Sequence, residues 1–530
     1  MSTAKTAEPF SEKSLPKGAV ALILLACALL GAGGYLLIGG LEHPLSFPLD
    51  DAWIHQTYAR NLAATGQLAY RPGEPSAGST SPAWSYLLSV GYLLGVDYRA
   101  WAYAMGALSL AATAWFAYRL AARLPLARPW AAFLTGLLCA VEFHLVWASI
   151  SGMETMLFTA LSLALLDYYA GQLAERMSAA GPVTLQVEQT MVGAVGIGLM
   201  GGVLTLARPE GIVLAGLVIG AMFLFPLSTL RGALKMRLMA AGISLLSLGL
   251  VLAPYVAFNL KVSGSFWPNT YYAKQTEYAI ALDLPLPFWQ ILKPTLVGAQ
   301  VLLMPGFLYA AYQLIRERRW SALVPMAWWL IFLAGYALRL PMGYQHGRYS
   351  IPSIPLLFLY GVWGTSRLNR PSSPQLLIRV ISRAVIPAVA LGALGFWVVG
   401  ANTYVQDVGY IEGELIATAH WLNENTEPGD LIAVHDIGAV GYLSDRPLLD
   451  MAGLISPEVI PFMTDADKLV EWIVEQGARY AVFFPDFGPT YVQLDAHPQL
   501  EKIRCTDYAW TRTKGRKNLC VYQVIARSDP

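Results

Sequence analysis

The sequence predicts an α-helical polytopic membrane protein of about eleven transmembrane helices, with a small extracytoplasmic α/β domain at its C-terminal end. Three observations predict it. Of 530 residues, 55% are hydrophobic and only 13% are charged, well outside the range of soluble globular chains. Apolar runs long enough to cross about 30 Å of hydrocarbon recur up to Asn402. Beyond Asn402 the runs stop and the composition turns soluble. The net charge of +1 gives no basic excess for tracking phosphates, so no nucleic-acid partner is expected.

Residues 1–18 are polar, hold Lys5, Lys13 and Lys17, and read as a cytoplasmic N-terminal tail. The run Ala19–Leu41 is too long for a signal-peptide core and lacks a convincing cleavage site, so it reads as a retained first span. Further spans are expected at Ala100–Leu120, Pro129–Ser149, Thr155–Ala170, Met191–Ala207, Ile212–Leu230, Leu238–Phe258, Thr295–Ile315, Trp320–Leu340, Ile351–Ser366 and Ala384–Asn402. Ala83–Gly95 is apolar but too short to span, and reads as an interfacial helix. With it left out, Arg119, Arg123 and Arg128, Arg176, Arg231, Lys235 and Arg237, Arg316, Arg318 and Arg319, and Arg367 to Arg383 all fall on the side of the N-terminus. That satisfies the positive-inside rule, whereas counting it would put every later basic cluster outside. The core, residues 19–402, is therefore expected as a multi-pass unit of the plasma (inner) membrane, with the N-terminus cytoplasmic and residues 403–530 extracytoplasmic.

The outer loop 42–99 carries the richest polar island of the first half, LDDAWIHQTYARNLAATGQLAYRPGEPSAGSTSPAW from Leu49 to Trp84. Asp50 and Asp51 are followed there by Trp53, His55, Tyr58 and Arg60. In the expected orientation other polar groups near span ends fall on the same side: Glu142, His144, Glu154, Arg208, Glu210, Asn269, Lys274, His346 and Arg348. An ionisable group at membrane depth costs about 2.5 to 3.5 kcal/mol. A one-sided set of them points to a site, although any single charge at a helix end can simply snorkel to the interface. In RLPMGYQHGRYS, Arg339 to Ser350, His346 and Arg348 stand beside Gly343 and Gly347. Glycine lets backbone approach a ligand, and arginine matches the fork of a phosphate. No P-loop, GxGxxG, HExxH or CxxC framework is present, which takes support from ATP-driven transport and zinc hydrolysis.

In the tail, Glu412–Asn425 and Ala466–Gln476 have helical spacing, and DLIAVHD and ARYAVFFPD read as buried strands. A hairpin is expected from strand Cys505–Trp510, turn Lys514-Gly515 and strand Leu519–Ile525. Cys27 and Cys139 lie inside apolar runs, whereas Cys505 and Cys520 flank a polar stretch and are expected to pair in an oxidising compartment. His435 and Asp436, near Asp445 and Asp450, read as turn, cap or acceptor-binding positions, because no nucleophile or metal set accompanies them.

The order LDDAWI, YARNLA, GQLAYRPGE, GSTSPAW, SGMETMLF, LARPEG, WPNTYYAK, HGRYSIPSIPLL and GAVGYLSDRPLLDMAGL resembles bacterial membrane glycosyltransferases of the GT-C superfamily. The resemblance is to the arabinofuranosyltransferase-like and related branches that use polyprenyl-phosphate sugars, and it covers nearly the whole chain. It implies a GT-C-like core whose first outer loop holds the catalytic acids. It also implies a polyprenyl-phosphate-linked sugar as donor and an extracytoplasmic glycan, lipid or protein as acceptor. On this reading Asp50 or Asp51 is the base that takes the acceptor proton, and the leaving phosphate is balanced by Arg348 with His346, Lys274 and Arg208. Asp50 is favoured as base, because Asp51 is expected to cap the helix Ala52–Ala63. Sugar and acceptor contacts fall to Glu154, Glu210, Asn269, Tyr58 and His55. A single displacement inverts the anomeric centre. No cofactor is implied; the acidic pair lacks DxD spacing, which argues against a firmly bound metal while leaving a divalent cation open at Asp50 and Asp51. The competing class is a non-catalytic carrier or flippase for lipid-linked sugars, which needs the same cavity but no base.

Overall fold

Inside hydrocarbon a chain must satisfy its own backbone, so apolar runs of this length fold as helices. The computed structural model describes residues 15–178, 183–225, 234–278 and 286–525. Lys5, Lys13 and Arg231, used above for orientation, lie outside the described residues. The first span is α1 (Lys17–Glu42), after which the polar island folds as α2 (Asp51–Thr65), the short pair β1 (Ala69–Arg71) and β2 (Glu74–Pro75), and α3 (Pro82–Leu93). α3 is as short as its apolar run, and Trp84 fixes it by donating from Nε1 to the Gly152 carbonyl at 2.8 Å.

The core continues with α4 (Tyr98–Arg123), α5 (Pro129–Val141), α6 (Phe143–Ser149), α7 (Thr155–Ser178), α8 (Val183–Ala207), α9 (Gly211–Leu224) and α10 (Leu234–Ser263). Asp97 caps α4 by accepting from the Arg99 and Ala100 amides, and Glu142 caps α6 through the Leu145 amide. Next come α11 (Asn269–Glu277), α12 (Pro287–Leu296), α13 (Met304–Arg316), α14 (Val324–Arg339), α15 (Ile354–Leu368) and α16 (Leu376–Tyr410). Helices approach closely at small residues: a Cβ on Gly106 would collide with the Ser149 carbonyl, and one on Gly364 with the Gly306 carbonyl.

Six described helices are long and apolar enough to cross a membrane, or up to eight if each of two bent pairs counts as one span. The expected eleven included several short runs, and one of them, Ile212–Leu230, extends past Phe225 beyond the described residues. The run Pro129–Ser149 breaks into α5 and α6 with a 52° bend, and α12 meets the segment Ala299–Arg316 at 100°. The run Ile351–Ser366 becomes a short 3₁₀ turn followed by α15, whose residues Ile354–Ser366 are all buried among other helices.

α16 does not stop at Asn402. It runs on to Tyr410 and passes through a π-helical turn, Ile411–Ile416, into α17 (Ala417–Asn425). The C-terminal unit adds β3 (Ile432–Val434), α18 (Ile437–Leu443), β4 (Leu448–Asp450), α19 (Ala466–Glu475), β5 (Tyr480–Phe483), α20 (Pro489–Asp495), β6 (Leu500–Cys505), α21 (Ala509–Thr513) and β7 (Cys520–Val524). Its five strands are ordered β4-β3-β5-β7-β6, with β3 parallel to both β4 and β5, and β7 antiparallel to β5 and β6. Leu469, Val470 and Ile473 of α19 cover one face together with Phe483 and Tyr522, while Ile432, Val434 and Val482 belong to the core cluster shared with the membrane helices.

The hairpin exists, but its first strand ends at Cys505 instead of beginning there. Buried Glu414, on the π turn, accepts from Asn518 Nδ2 at 2.6 Å and the Leu519 amide at 2.9 Å, and also from the Thr506 and Thr511 hydroxyls. Those bonds pull residues after 505 off the sheet and onto the stem. Cys505 and Cys520 sit opposite one another in the ladder and are disulfide-bonded.

Candidate functional site

Two cavities meet beneath the C-terminal unit, one of about 380 Å³ among the membrane helices and one of about 1330 Å³ between the helices and the sheet unit. Asp51, Lys274, Gln275 and Arg348 line both. Each comes from a different local device. Asp51 opens α2, Lys274 and Gln275 stand on α11, and Arg348 follows Gln345, His346 and Gly347, three successive residues in the left-handed region. Only glycine takes that conformation freely, and strain of this kind persists where surrounding structure enforces it. The turn sends His346 and Arg348 to different places.

Arg348 Nη2 lies 2.6 Å from Asp51 Oδ2, and Lys274 Nζ lies 3.4 Å from the same oxygen. Both cations also donate to the Tyr349 hydroxyl, at 3.0 and 3.2 Å. Burial acts to raise the Asp51 carboxyl, but Arg348 and Lys274 outweigh it and hold it well below the usual carboxylate range. Burial acts likewise on the Tyr349 phenol, which the same two cations bring down to about 8. Arg348 keeps its buried Nε and Nη1 without a protein partner, an expensive state unless a ligand meets them.

Asp50 faces the other way. Its carboxylate accepts from the Gly438 and Ala439 amides at 2.8 and 2.7 Å, so it tethers the start of α18 to the core. Burial and the charge of Asp436 push this carboxyl up, against the two amides, which favour its charged form. Neither aspartate caps α2, contrary to the expectation for Asp51, because Arg348 and Lys274 draw its carboxylate away from the helix amides.

His55, Glu154, Arg208 and Glu210 all line the smaller cavity. His55 pairs with Glu154 at 3.2 Å, and Arg208 reaches Glu154 at 3.7 Å and Glu210 at 3.2 Å. Tyr336 bonds to both Arg208 and Glu210, and its ring stacks on Tyr349. Arg208 is thus neutralised by two carboxylates, which leaves Arg348 as the better-placed anion partner. His55 Nδ1, Glu210 Oε2 and Gln275 Nε2 are buried without partners. The far wall is apolar, and Val213 of α9 and Ile331 of α14 line the cavity while also exposed on the surface of the helix bundle.

Three expected site residues are placed elsewhere. His346 lines only the larger cavity, where Nε2 meets Asp407 Oδ2 at 2.7 Å; the left-handed turn carries it away from the smaller one. Tyr58 is fully buried, bonded to Ser76 at 2.6 Å and packed on Tyr70, so it holds the polar loop together. Asn269 is buried at the start of α11, its amide bonded to the Ala77 carbonyl, and it lines neither cavity. Glu142 and His144 pair with each other at 2.7 Å, also away from both. Tyr349, Tyr336 and Asp407 were not expected; Tyr349 stood next to Arg348 as a signal that could have been read. Among the described residues no three His, Cys, Asp or Glu side chains are grouped to hold a metal, and the positions beside Asp51 are taken by Lys274 and Arg348.

Residues 401–522 match a family described as a domain of unknown function (DUF8728). A search among curated proteins finds no match. Among solved structures, ArnT from Cupriavidus metallidurans in the apo state is similar over 95% of this chain and 98% of its own, at 16% identity and a TM-score of 0.55. The same protein bound to undecaprenyl phosphate gives 17% identity and a TM-score of 0.57 over 97% of this chain and 100% of that one. The oligosaccharyltransferase of Archaeoglobus fulgidus gives 13% identity and a TM-score of 0.59 over 90% of this chain and 70% of that one. The chain therefore shares the fold of these solved structures, and its long apolar helices make it a multi-pass membrane protein.

Proposed function

We propose that this chain is an inverting membrane glycosyltransferase that moves a sugar from a polyprenyl-phosphate carrier to an acceptor entering through the larger cavity. The observation that carries the reading is the wall at Asp51, Lys274 and Arg348, shared by a cavity open to the apolar helix surface and a larger cavity beneath the C-terminal unit. A lipid tail leaves between α9 and α14, and its phosphate meets the unpartnered Nε and Nη1 of Arg348 together with Lys274 and the Tyr349 hydroxyl. His55 Nδ1, Glu210 Oε2 and Gln275 Nε2 are donors and acceptors for the sugar hydroxyls. Similar structures hold undecaprenyl phosphate in ArnT and a dolichol-phosphate in the archaeal enzyme, which supports a lipid phosphate as the class of ligand.

Asp51, not Asp50, is the base on this reading, because both oxygens of Asp50 are engaged by α18. The bound phosphate competes for Arg348 and Lys274, so the influence that depresses Asp51 weakens and its carboxylate becomes a stronger base once the donor is in place. The acceptor oxygen attacks the anomeric carbon as its proton passes to Asp51, the bond from that carbon to the phosphate oxygen breaks, and the lipid phosphate leaves against the two cations. One displacement gives inversion. The disulfide of the C-terminal unit fits an extracytoplasmic location for the site, with the N-terminus cytoplasmic.

Asp51→Asn tests the assignment with a defined lipid-phosphosugar. Turnover falls about a hundredfold or more while lipid-phosphate binding is retained. Arg348→Ala lowers both turnover and donor binding, because the phosphate is charged before and during transfer. Near-normal turnover in Asp51→Asn overturns the assignment.

A further inference from the structure

The larger cavity differs from the smaller one in its walls, and the difference bears on what enters it. None of the exposed large apolar side chains among the described residues lines it, so it lacks the mouth onto the helix surface that Val213 and Ile331 give its neighbour. Among the described residues, its apolar route to the helix surface runs through the smaller cavity, past Asp51, Lys274 and Arg348. Most of its charged side chains have an opposite charge within the protein, Asp50 and Lys514 excepted. His346 pairs with Asp407, His435 with Glu277 and Asp436, Arg516 with Asp486 and Lys517 with Asp495, while Lys514 sits over the Trp510 ring at 5.2 Å. Away from Arg348 at the junction, that pairing favours a neutral polar ligand over an anionic one.

We propose that this cavity is a cleft for a neutral carbohydrate chain, gripped by the His346–Asp407 pair on the core side and by Tyr410 and Trp510 where the C-terminal unit closes it. The proposal names the acceptor class and rests on the glycosyltransferase reading. Sugar rings offer apolar C–H faces and hydroxyl edges, and the cavity supplies a counterpart to each. Tyr410 and Trp510 stand edge to face with centroids 5.8 Å apart, Phe484 stacks on one face of Tyr410 and Lys514 covers one face of Trp510, and the aromatic surface left toward the cavity attracts C–H groups. Asp407 Oδ2 is fixed from two sides, by His346 Nε2 at 2.7 Å and Trp147 Nε1 at 2.9 Å, which orients the carboxylate and imidazole for adjacent hydroxyls. Their side chains remain 20% and 29% exposed on the cavity wall. At about 1330 Å³ the space exceeds the roughly 300–1,000 Å³ of small-molecule pockets, which suits more than one sugar ring.

The test measures binding of short neutral oligosaccharides to the purified full chain in detergent, beside peptides and lipid micelles as separate arms. Neutral oligosaccharides are expected to bind, and Asp407→Asn and Trp510→Ala each to weaken that binding about tenfold, with lipid-phosphate binding and melting temperature unchanged. Trp510→Phe, which keeps an aromatic face, is expected to restore most of it. Preference for peptide or lipid, no oligosaccharide binding, or an equal loss of lipid-phosphate binding in the variants overturns the proposal. Transfer of sugar to a peptide or lipid leaves the glycosyltransferase reading standing and ends this inference. Oligosaccharide binding without transfer from any lipid-phosphosugar does the reverse.

Discussion

Asp51 holds its charge against burial because Arg348 and Lys274 lie 2.6 and 3.4 Å away, while Asp50, its neighbour in sequence, spends both carboxylate oxygens on two amides. An amide at position 50 can accept from only one of those N–H groups and turns its own NH₂ toward the other. Asp50→Asn is therefore expected to loosen the C-terminal unit by about 1–3 kcal/mol in thermal unfolding, and to lower turnover less than Asp51→Asn does. Equal losses of turnover with unchanged stability would contradict the division of roles. The acidic pair and Arg348 stood out in the sequence, and the structure brings Asp51 and Arg348 together as an ion pair on the wall between the cavities. The choice between the two aspartates was not, because the partner that engages Asp50 lies 388 residues further along the chain. Tyr58 and Asn269 line neither cavity, and a polar side chain that satisfies a loop looks, in sequence, like one that awaits a ligand.

α11 forms much of the partition between the cavities and is held at both ends of its polar face, by Asp51 through Lys274 and by His435 of the C-terminal unit through Glu277 at 3.1 Å. Burial acts to lower the His435 imidazole, but Asp436 and Glu277 raise it from 6.5 to about 10. A histidine raised on folding contributes stability that is complete below its unfolded value and lost as pH climbs through the folded one. The melting-temperature gap between wild type and His435→Gln should thus be widest below pH 6.5 and close as pH approaches about 10. A gap that widens with pH would refute the tether. The Cys505–Cys520 bridge closes a short loop at the sheet edge, and replacing both cysteines with serine should cost about 3 kcal/mol by loop entropy. The sequence pattern marks two helices of the tail, α17 and α19, three of its strands, β3, β5 and β7, and this pairing. It misplaced the first hairpin strand because the group that bends the chain, Glu414, sits on the stem nearly a hundred residues upstream, 92 from Thr506.

The membrane character of the whole chain was plain from composition, since apolar runs of span length have few other uses in a chain this weakly charged. The count of spans was less legible: bends at α5–α6 and α12–α13 and the burial of α15 are consequences of packing, which periodicity does not record. The two cavities and the wall between them also arise only when helices far apart in sequence meet the C-terminal unit. That wall is where a transferase and a carrier part company, because a carrier moves the lipid-linked sugar intact and a transferase breaks it. The most direct measurement reconstitutes the protein in liposomes with a polyprenyl-phosphate sugar labelled in both lipid and sugar, supplies an acceptor, and follows the two labels. Free lipid phosphate and labelled acceptor are expected one for one in wild type, and neither in Asp51→Asn. Intact donor crossing the bilayer, with no phosphate released and no dependence on Asp51, would contradict it.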